Sequence, residues 1–111
     1  GYVELTRRAL DAADRMRAGI AAIDGVRVLG PGTFHLVAFA ADRPGVDVLA
    51  VGDELRARGW HLDRQGPPPS LHATVSQANA ATMDEFLADL AAAVADHRPT
   101  TGEPAPYATL E

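Results

Sequence analysis

The sequence predicts an α+β fold: a two-layer sandwich of a mostly antiparallel four-stranded sheet with helices on one face. Three segments carry apolar residues at helical spacing, and four short segments alternate or run apolar as strands do. Their order along the chain is α-β-β-α-β-β-α, and the links between successive strands are of hairpin length. Strands joined this way pair antiparallel, and the apolar stripes of the helices then cover one face of the sheet.

The first helix is predicted over residues 3–23. Its inward side carries seven apolar residues at spacings of three and four: Leu5, Ala9, Ala12, Ala13, Met16, Ile20 and Ile23. Asp24 and Gly25 end it, because glycine readily adopts the left-handed conformation that follows a helix.

A hairpin is predicted next, with strands over residues 26–29 and 34–41 and a turn at Gly30-Pro31-Gly32. The second strand is apolar on both faces. Such a strand lies in the centre of a sheet, or has its second face covered by another part of the protein.

The second helix is predicted to start after Asp47, whose carboxylate can cap it, and to stop at Gly59. A short strand over residues 60–64 follows, and the triple proline of residues 67–69 predicts a stiff connector between two strands, either extended or a rigid hairpin link. The alternation of residues 70–75 predicts a half-buried strand with one polar face.

The third helix is predicted to open on Thr82-Met83-Asp84-Glu85, which matches the capping-box pattern, and to end before Pro99. We expect one domain over residues 1–98 and a flexible tail over residues 99–111. In that tail only Tyr107 and Leu110 are suited to docking on the domain.

Composition excludes several kinds of chemistry. The 111 residues carry a net charge of −5 and no cysteine, and every one of the ten basic residues is arginine. A nucleic-acid partner is disfavoured, since such proteins present a basic surface. The sequence has neither an apolar run of membrane-spanning length nor a signal-like leader, so we expect a soluble, cytoplasmic protein. Without lysine the chain offers no side-chain amine to an aldehyde cofactor.

The spacing of residues gives only weak support to two candidate sites, a histidine metal site and a catalytic triad. His35, His61 and His72 fall on predicted strands, but no carboxylate or second histidine stands at ligand spacing. Ser70, His72 and Asp63 can be assembled into a triad on paper, without the local motif that normally exposes such a serine.

A resemblance to a known family starts in the segment 59–72. The stretches Gly59-Trp60-His61-Leu62 and Pro68-Pro69-Ser70-Leu71-His72 resemble the C-terminal small domain of pyridoxal-phosphate-dependent lyases of the sphingosine phosphate lyase type, within the group II amino-acid decarboxylases. The helix start at residues 1–8, the step at 23–26 and the strand at 34–41 are similar to the same domain. The resemblance covers residues 1–98 in collinear order.

The resemblance implies a fold-type I enzyme, normally a homodimer, that holds pyridoxal phosphate on a lysine of its large domain. It implies carbon–carbon cleavage, either aldol-type scission of a phosphorylated amino alcohol or decarboxylation of an amino acid. This chain lacks that lysine, and it begins at Gly1 rather than Met, so we expect a catalytically silent piece of a longer lyase. Its partner would be the large domain of the same chain.

Three residues are expected nearest the substrate cleft of the whole enzyme: Gln65, His72 and Tyr107. We expect no metal site. The face normally covered by the large domain is expected to expose Val37, Phe39 and Trp60, and the fragment is expected to self-associate through this patch. The alternative is a free-standing ferredoxin-like module that binds a ligand, regulates or dimerises.

Overall fold

The computed structural model describes residues 2–33, 36–75 and 80–99. Within them the chain forms three helices and one four-stranded antiparallel sheet with strand order β1-β2-β4-β3. The predicted fold class and element order are confirmed. The elements are α1 (Tyr2–Ala21), β1 (Val26–Thr33), β2 (Leu36–Ala41), α2 (Val48–Ala57), β3 (Asp63–Gln65), β4 (Ser70–Thr74) and α3 (Ala80–Asp96).

The core lies between one face of the sheet and the helices. Val37 pairs with Ala73 and Phe39 with Leu71, and all four side chains are buried on that face. Both α1 and α2 contact the sheet, and α3 packs against both of these helices and adds buried side chains to the same core. Alternation along β2 and β4 therefore assigns every second residue to the core and the others to a face without a helix.

The expected exposed apolar patch is wrong for Val37 and Phe39, which are fully buried, while Trp60 is half-buried. The prediction of a central β2 is confirmed, since the strand pairs with β1 on one side and β4 on the other. The helices of this chain itself cover the face that carries Val37 and Phe39. No second chain is needed to bury them, so they give no support to self-association.

The predicted turn at Gly30-Pro31-Gly32 is also wrong, because these residues continue β1 to Thr33. The register of β1 against β2 shifts between Leu29 and Thr33, and Thr33 pairs with Leu36. β1 is an edge strand, where a proline and an irregular register are tolerated because one side has no ladder to complete.

The segment between α2 and β4 differs from the prediction in its strand, and its connector takes one of the two predicted forms. β3 is shorter and later than residues 60–64, because the backbone N–H of Trp60 donates to the carbonyl of Leu55 at 2.9 Å and stays tied to the end of α2. Residues 66–69 form a tight turn, which is the hairpin link and not the extended connector. Gln65 pairs directly with Ser70, so four residues must reverse the chain direction.

The ends of α2 agree with the prediction, whereas α1 ends at Ala21, two residues before the predicted end, and α3 starts earlier than predicted. Asp47 caps α2, its carboxylate accepting from the N–H groups of Leu49 at 3.1 Å and Ala50 at 3.3 Å. Gly25 and Gly59 adopt φ of 108° and 99°. α3 begins at Ala80, so Thr82 lies inside the helix and the capping box is wrong. Two alanines before Thr82 favour the earlier start.

Candidate functional site

The face of the sheet opposite the helices, which we call the open face, carries the predicted site residues. Ser70, His72 and Thr74 alternate with the core residues of β4 and therefore lie on it. Asp63 pairs with His72 and Gln65 with Ser70 across the β3–β4 ladder, which places both on the same face. From β2 the open face receives Leu36, Ala38 and Ala40.

Ser70 is a buried polar residue on this face, only 3% exposed. Its hydroxyl donates to the carbonyl of Gln65 at 3.4 Å, and its Oγ lies 3.0 Å from Nε2 of His72. A hydroxyl has one proton, so with that proton on Gln65 the Oγ accepts the second bond. In that arrangement Nε2–H of His72 is the donor, and the roles of the two atoms in this contact depend on the tautomer of the ring.

A cavity of about 570 Å³ opens beside the short strand β3. The described part of β3 pairs only with Ser70–His72, so the ladder stops before Ala73 and Thr74. The apolar lining includes both methionines and the only tryptophan of the chain: Met16, Met83 and Trp60, together with Phe86. His61, Asp63, His72 and Thr74 add polar groups.

Trp60 is held firmly in the wall of this cavity. Its Nε1–H donates to the carboxylate of Asp89 on α3 at 2.8 Å. The indole meets the ring of Phe86 edge-on, with centroids 5.2 Å apart and planes at 79°. Such a perpendicular contact is a favoured aromatic geometry, so the start of the β3 segment is fixed to α3 although it lies outside any strand.

The three predicted site residues have different outcomes. His72 lies on the open face and also lines the cavity, and Gln65 is exposed on the open face at the end of β3. Tyr107 and the whole tail from Thr100 lie outside the described residues, as does His35. The assignment of Gln65, His72 and Tyr107 to a substrate cleft stays a prediction.

The Ser70–His72 contact was not predicted from the sequence. The signal was available: two polar residues two apart on a strand share a face and can bond. The arrangement does not make Ser70 a nucleophile, since its hydroxyl is shielded from solvent and donates to a backbone carbonyl.

Among residues 2–33, 36–75 and 80–99 there is no cluster of three or more His, Asp or Glu that could hold a metal ion. Nor does this part of the chain contain a helix long and apolar enough to cross a membrane.

Comparison with known proteins gives the family. No protein-family model matches the chain. It is 36% identical over 90 residues to the sphingosine-1-phosphate lyase of Oryza sativa, a match that covers 81% of this chain and 16% of the relative. It is 32% identical over 110 residues to the sphingosine-1-phosphate lyase of Arabidopsis thaliana, covering 96% of this chain and 20% of the relative.

The structural comparison agrees with the sequence comparison. The sphingosine-1-phosphate lyase of Burkholderia pseudomallei superposes with a TM-score of 0.79 and 30% identity, over 99% of this chain and 25% of that protein. The chain is a relative of the sphingosine-1-phosphate lyases. It spans about a fifth of the length of the curated lyases it matches.

More distant lyases share the fold alone. C-DES, a cystine C-S lyase whose structure holds a pyridoxal-phosphate cofactor, superposes with a TM-score of 0.69 at 19% identity, over 86% of this chain and 24% of that protein. The α+β sandwich of this sphingosine-1-phosphate lyase relative is therefore the architecture found within fold-type I pyridoxal-phosphate enzymes.

Proposed function

We propose that this chain is the C-terminal small domain of a pyridoxal-phosphate-dependent lyase that cleaves a carbon–carbon bond in a phosphorylated amino alcohol. The observation that carries the proposal is the agreement with the Burkholderia lyase, 30% identity over 99% of the chain in the same fold. The two plant relatives carry the same enzyme name. These names favour aldehyde-lyase chemistry over amino-acid decarboxylation.

The residues of this chain do not fit the cofactor by themselves. Pyridoxal phosphate enzymes hold the aldehyde on a lysine amine, and the chain contains no lysine. Nothing on the open face replaces that amine, because its polar side chains are a serine, a threonine, an amide, a carboxylate and an imidazole. We propose that the cofactor and the bond-breaking chemistry belong to a large domain, and that this chain alone is catalytically silent.

Two surfaces of the domain are suited to contact that large domain. Leu36 is 37% exposed on the open face, which no helix of the described residues covers. On α1, Val3 is 69% and Leu10 is 36% exposed, and the first buried residue of the described side chains in that helix is Ala13. Apolar side chains in such positions are typical of an interface within a larger protein.

In this arrangement the small domain walls one side of the substrate cleft and helps to exclude water when the enzyme closes. His72, Gln65 and Tyr107 are proposed at the edge of that cleft. A homodimeric enzyme and a cytoplasmic location are further predictions.

The test uses the full-length protein that contains this sequence, with the 111-residue chain as control. We expect the full-length protein to bind pyridoxal phosphate, with a visible absorbance that borohydride abolishes, and to release a long-chain aldehyde from sphingosine-1-phosphate. The 111-residue chain should do neither. Aldehyde release by the chain alone, or a full-length protein that binds no pyridoxal phosphate, would refute the proposal.

A further inference from the structure

We propose that Ser70 is a positioning residue that fixes the imidazole of His72, a residue of the open face, as its Nε2–H tautomer and so leaves the Nδ1 lone pair as an acceptor for a substrate hydrogen-bond donor. The inference deepens the proposed function and rests on it for the identity of the substrate. An amino alcohol carries hydroxyl and ammonium groups, and either one is complementary to a lone pair.

The hydroxyl of Ser70 takes part in two hydrogen bonds, and its single proton can be donated in only one of them. Ser70 is 3% exposed, so water has little access to replace its partners. Its single proton is directed to the carbonyl of Gln65 at 3.4 Å, and the oxygen at 3.0 Å from Nε2 of His72 must then receive a proton. A histidine that donates from one nitrogen keeps a lone pair on the other when it is neutral.

The surroundings of Nδ1 of His72 favour a hydrogen-bond donor as its partner. Within the described residues the structure records no hydrogen bond to this atom, and His72 is half-buried at the cavity that opens beside β3. Its neighbours on the open face are Asp63, opposite on β3, and the small side chain of Ala38, opposite on β2. The site therefore offers an acceptor nitrogen beside an acceptor carboxylate, which suits a donor and repels an anion.

A positioning role of Ser70 differs from plain packing in its effect on the tautomer of His72. A buried serine that served only to fill space would be replaced by alanine without changing the tautomer of His72. A serine that accepts the Nε2–H sets the tautomer, and threonine, which keeps the hydroxyl, would set it again.

The first experiment measures the tautomer of His72 by ¹⁵N NMR of the 111-residue chain at a pH where the ring is neutral. We expect Nε2–H in the native chain, a mixture with Nδ1–H in Ser70→Ala, and Nε2–H again in Ser70→Thr. Thr74→Ala, a polar residue on the same face, is the matched control and should leave the His72 signals unchanged. Nδ1–H in the native chain, or no change in Ser70→Ala, would overturn the proposal.

The second experiment measures steady-state kinetics of the full-length protein with sphingosine-1-phosphate. We expect Ser70→Ala and His72→Ala to raise KM about fivefold, the size of one lost hydrogen bond, with the cofactor absorbance unchanged. Ser70→Thr should restore KM. An unchanged KM in both alanine variants would contradict the contact with substrate. A full-length protein without lyase activity would refute the proposed function, whereas a failed tautomer test would refute only this inference.

Discussion

At the scale of single residues, two glycines illustrate how local conformation is dictated by the backbone. Gly59 follows α2 with φ of 99°, and no heavy atom would lie within 4 Å of an added Cβ. Gly45, in the turn before α2, has equal free space and a φ outside the left-handed region. The two sites therefore differ in backbone conformation and not in packing.

Gly59→Ala is expected to lower the free energy of unfolding by about 1–2 kcal/mol, because a side chain in the left-handed region is strained. Gly45→Ala is the control and should cause no loss, since alanine restricts the unfolded chain and meets nothing in the folded one. Urea denaturation followed by circular dichroism measures both. Equal effects of the two substitutions would show that the backbone of Gly59 is not the constraint.

Both left-handed glycines and the Asp47 cap were predictable from the sequence, because each follows from one residue and its immediate neighbours. The Ser70–His72 bond was not predicted, although both residues were named together with Asp63 as a triad on paper. The spacing of Ser70 and His72 on one strand permits their bond, whereas the bond from Ser70 to the carbonyl of Gln65 depends on the turn that brings Gln65 opposite Ser70, which is a property of the folded hairpin.

At the scale of elements, the start of α2 is fixed by one side chain. The carboxylate of Asp47 accepts from two N–H groups of the first turn. Asp47→Ala is expected to lower the free energy of unfolding by about 1 kcal/mol. The control is Asp53→Ala on the same helix, which removes an exposed ion pair with Arg64 and should cost less than about 1 kcal/mol. If thermal unfolding ranks the two in the reverse order, the cap is not what stabilises the helix start.

The contact between α1 and α3 includes a small residue, Gly19, near the C-terminal end of α1. A Cβ on Gly19 would overlap the side chain of Leu87. Because the overlapping atoms are the methyl groups of a half-buried leucine that can turn aside, Gly19→Ala is expected to destabilise the domain by no more than about 1 kcal/mol, the low end of overpacking, although alanine is the better helix former.

A double-mutant cycle with Leu87→Ala tests this cause. The double variant should be more stable than the sum of the two single changes predicts, because the alanine at 87 makes room for the new methyl group. Additive free energies, measured by chemical denaturation, would place the strain elsewhere.

The wrong and undecided predictions at this scale share one cause. The Gly-Pro-Gly segment was predicted as a turn, and the triple proline was left open between an extended connector and a hairpin link, because local preference alone was considered. Pairing decided otherwise: β1 is an edge strand that tolerates proline, and the register Gln65–Ser70 requires a reversal. Strand boundaries depend on the partner strand, which a single segment of sequence does not specify.

At the scale of the whole molecule, the three described helices pack on one face of the sheet and leave the open face without a helix. The fold class was predictable, because the order of elements and their apolar patterns allow few packings. The face of the sheet that the helices leave uncovered was not predictable, and Val37 and Phe39 were wrongly assigned to it. The apolar residues on both faces of β2 indicated a central strand. They did not reveal which of the two faces is covered by the helices of this chain.

In the proposed function the open face lies against a larger lyase domain. Leu36 is the most exposed large apolar residue of the open face. The chain has no cysteine, so Leu36→Cys is a unique thiol in it, with Ala88→Cys on the exposed side of α3 as control. The decisive measurement is the labelling rate of each thiol in the 111-residue chain and in the full-length protein, with the labelled site identified by mass spectrometry. If the open face is covered, the labelling rate of the thiol at residue 36 is expected to be at least about tenfold lower in the full-length protein than in the 111-residue chain, while the labelling rate at residue 88 stays the same. An equal labelling rate at residue 36 in both proteins would contradict a covered open face.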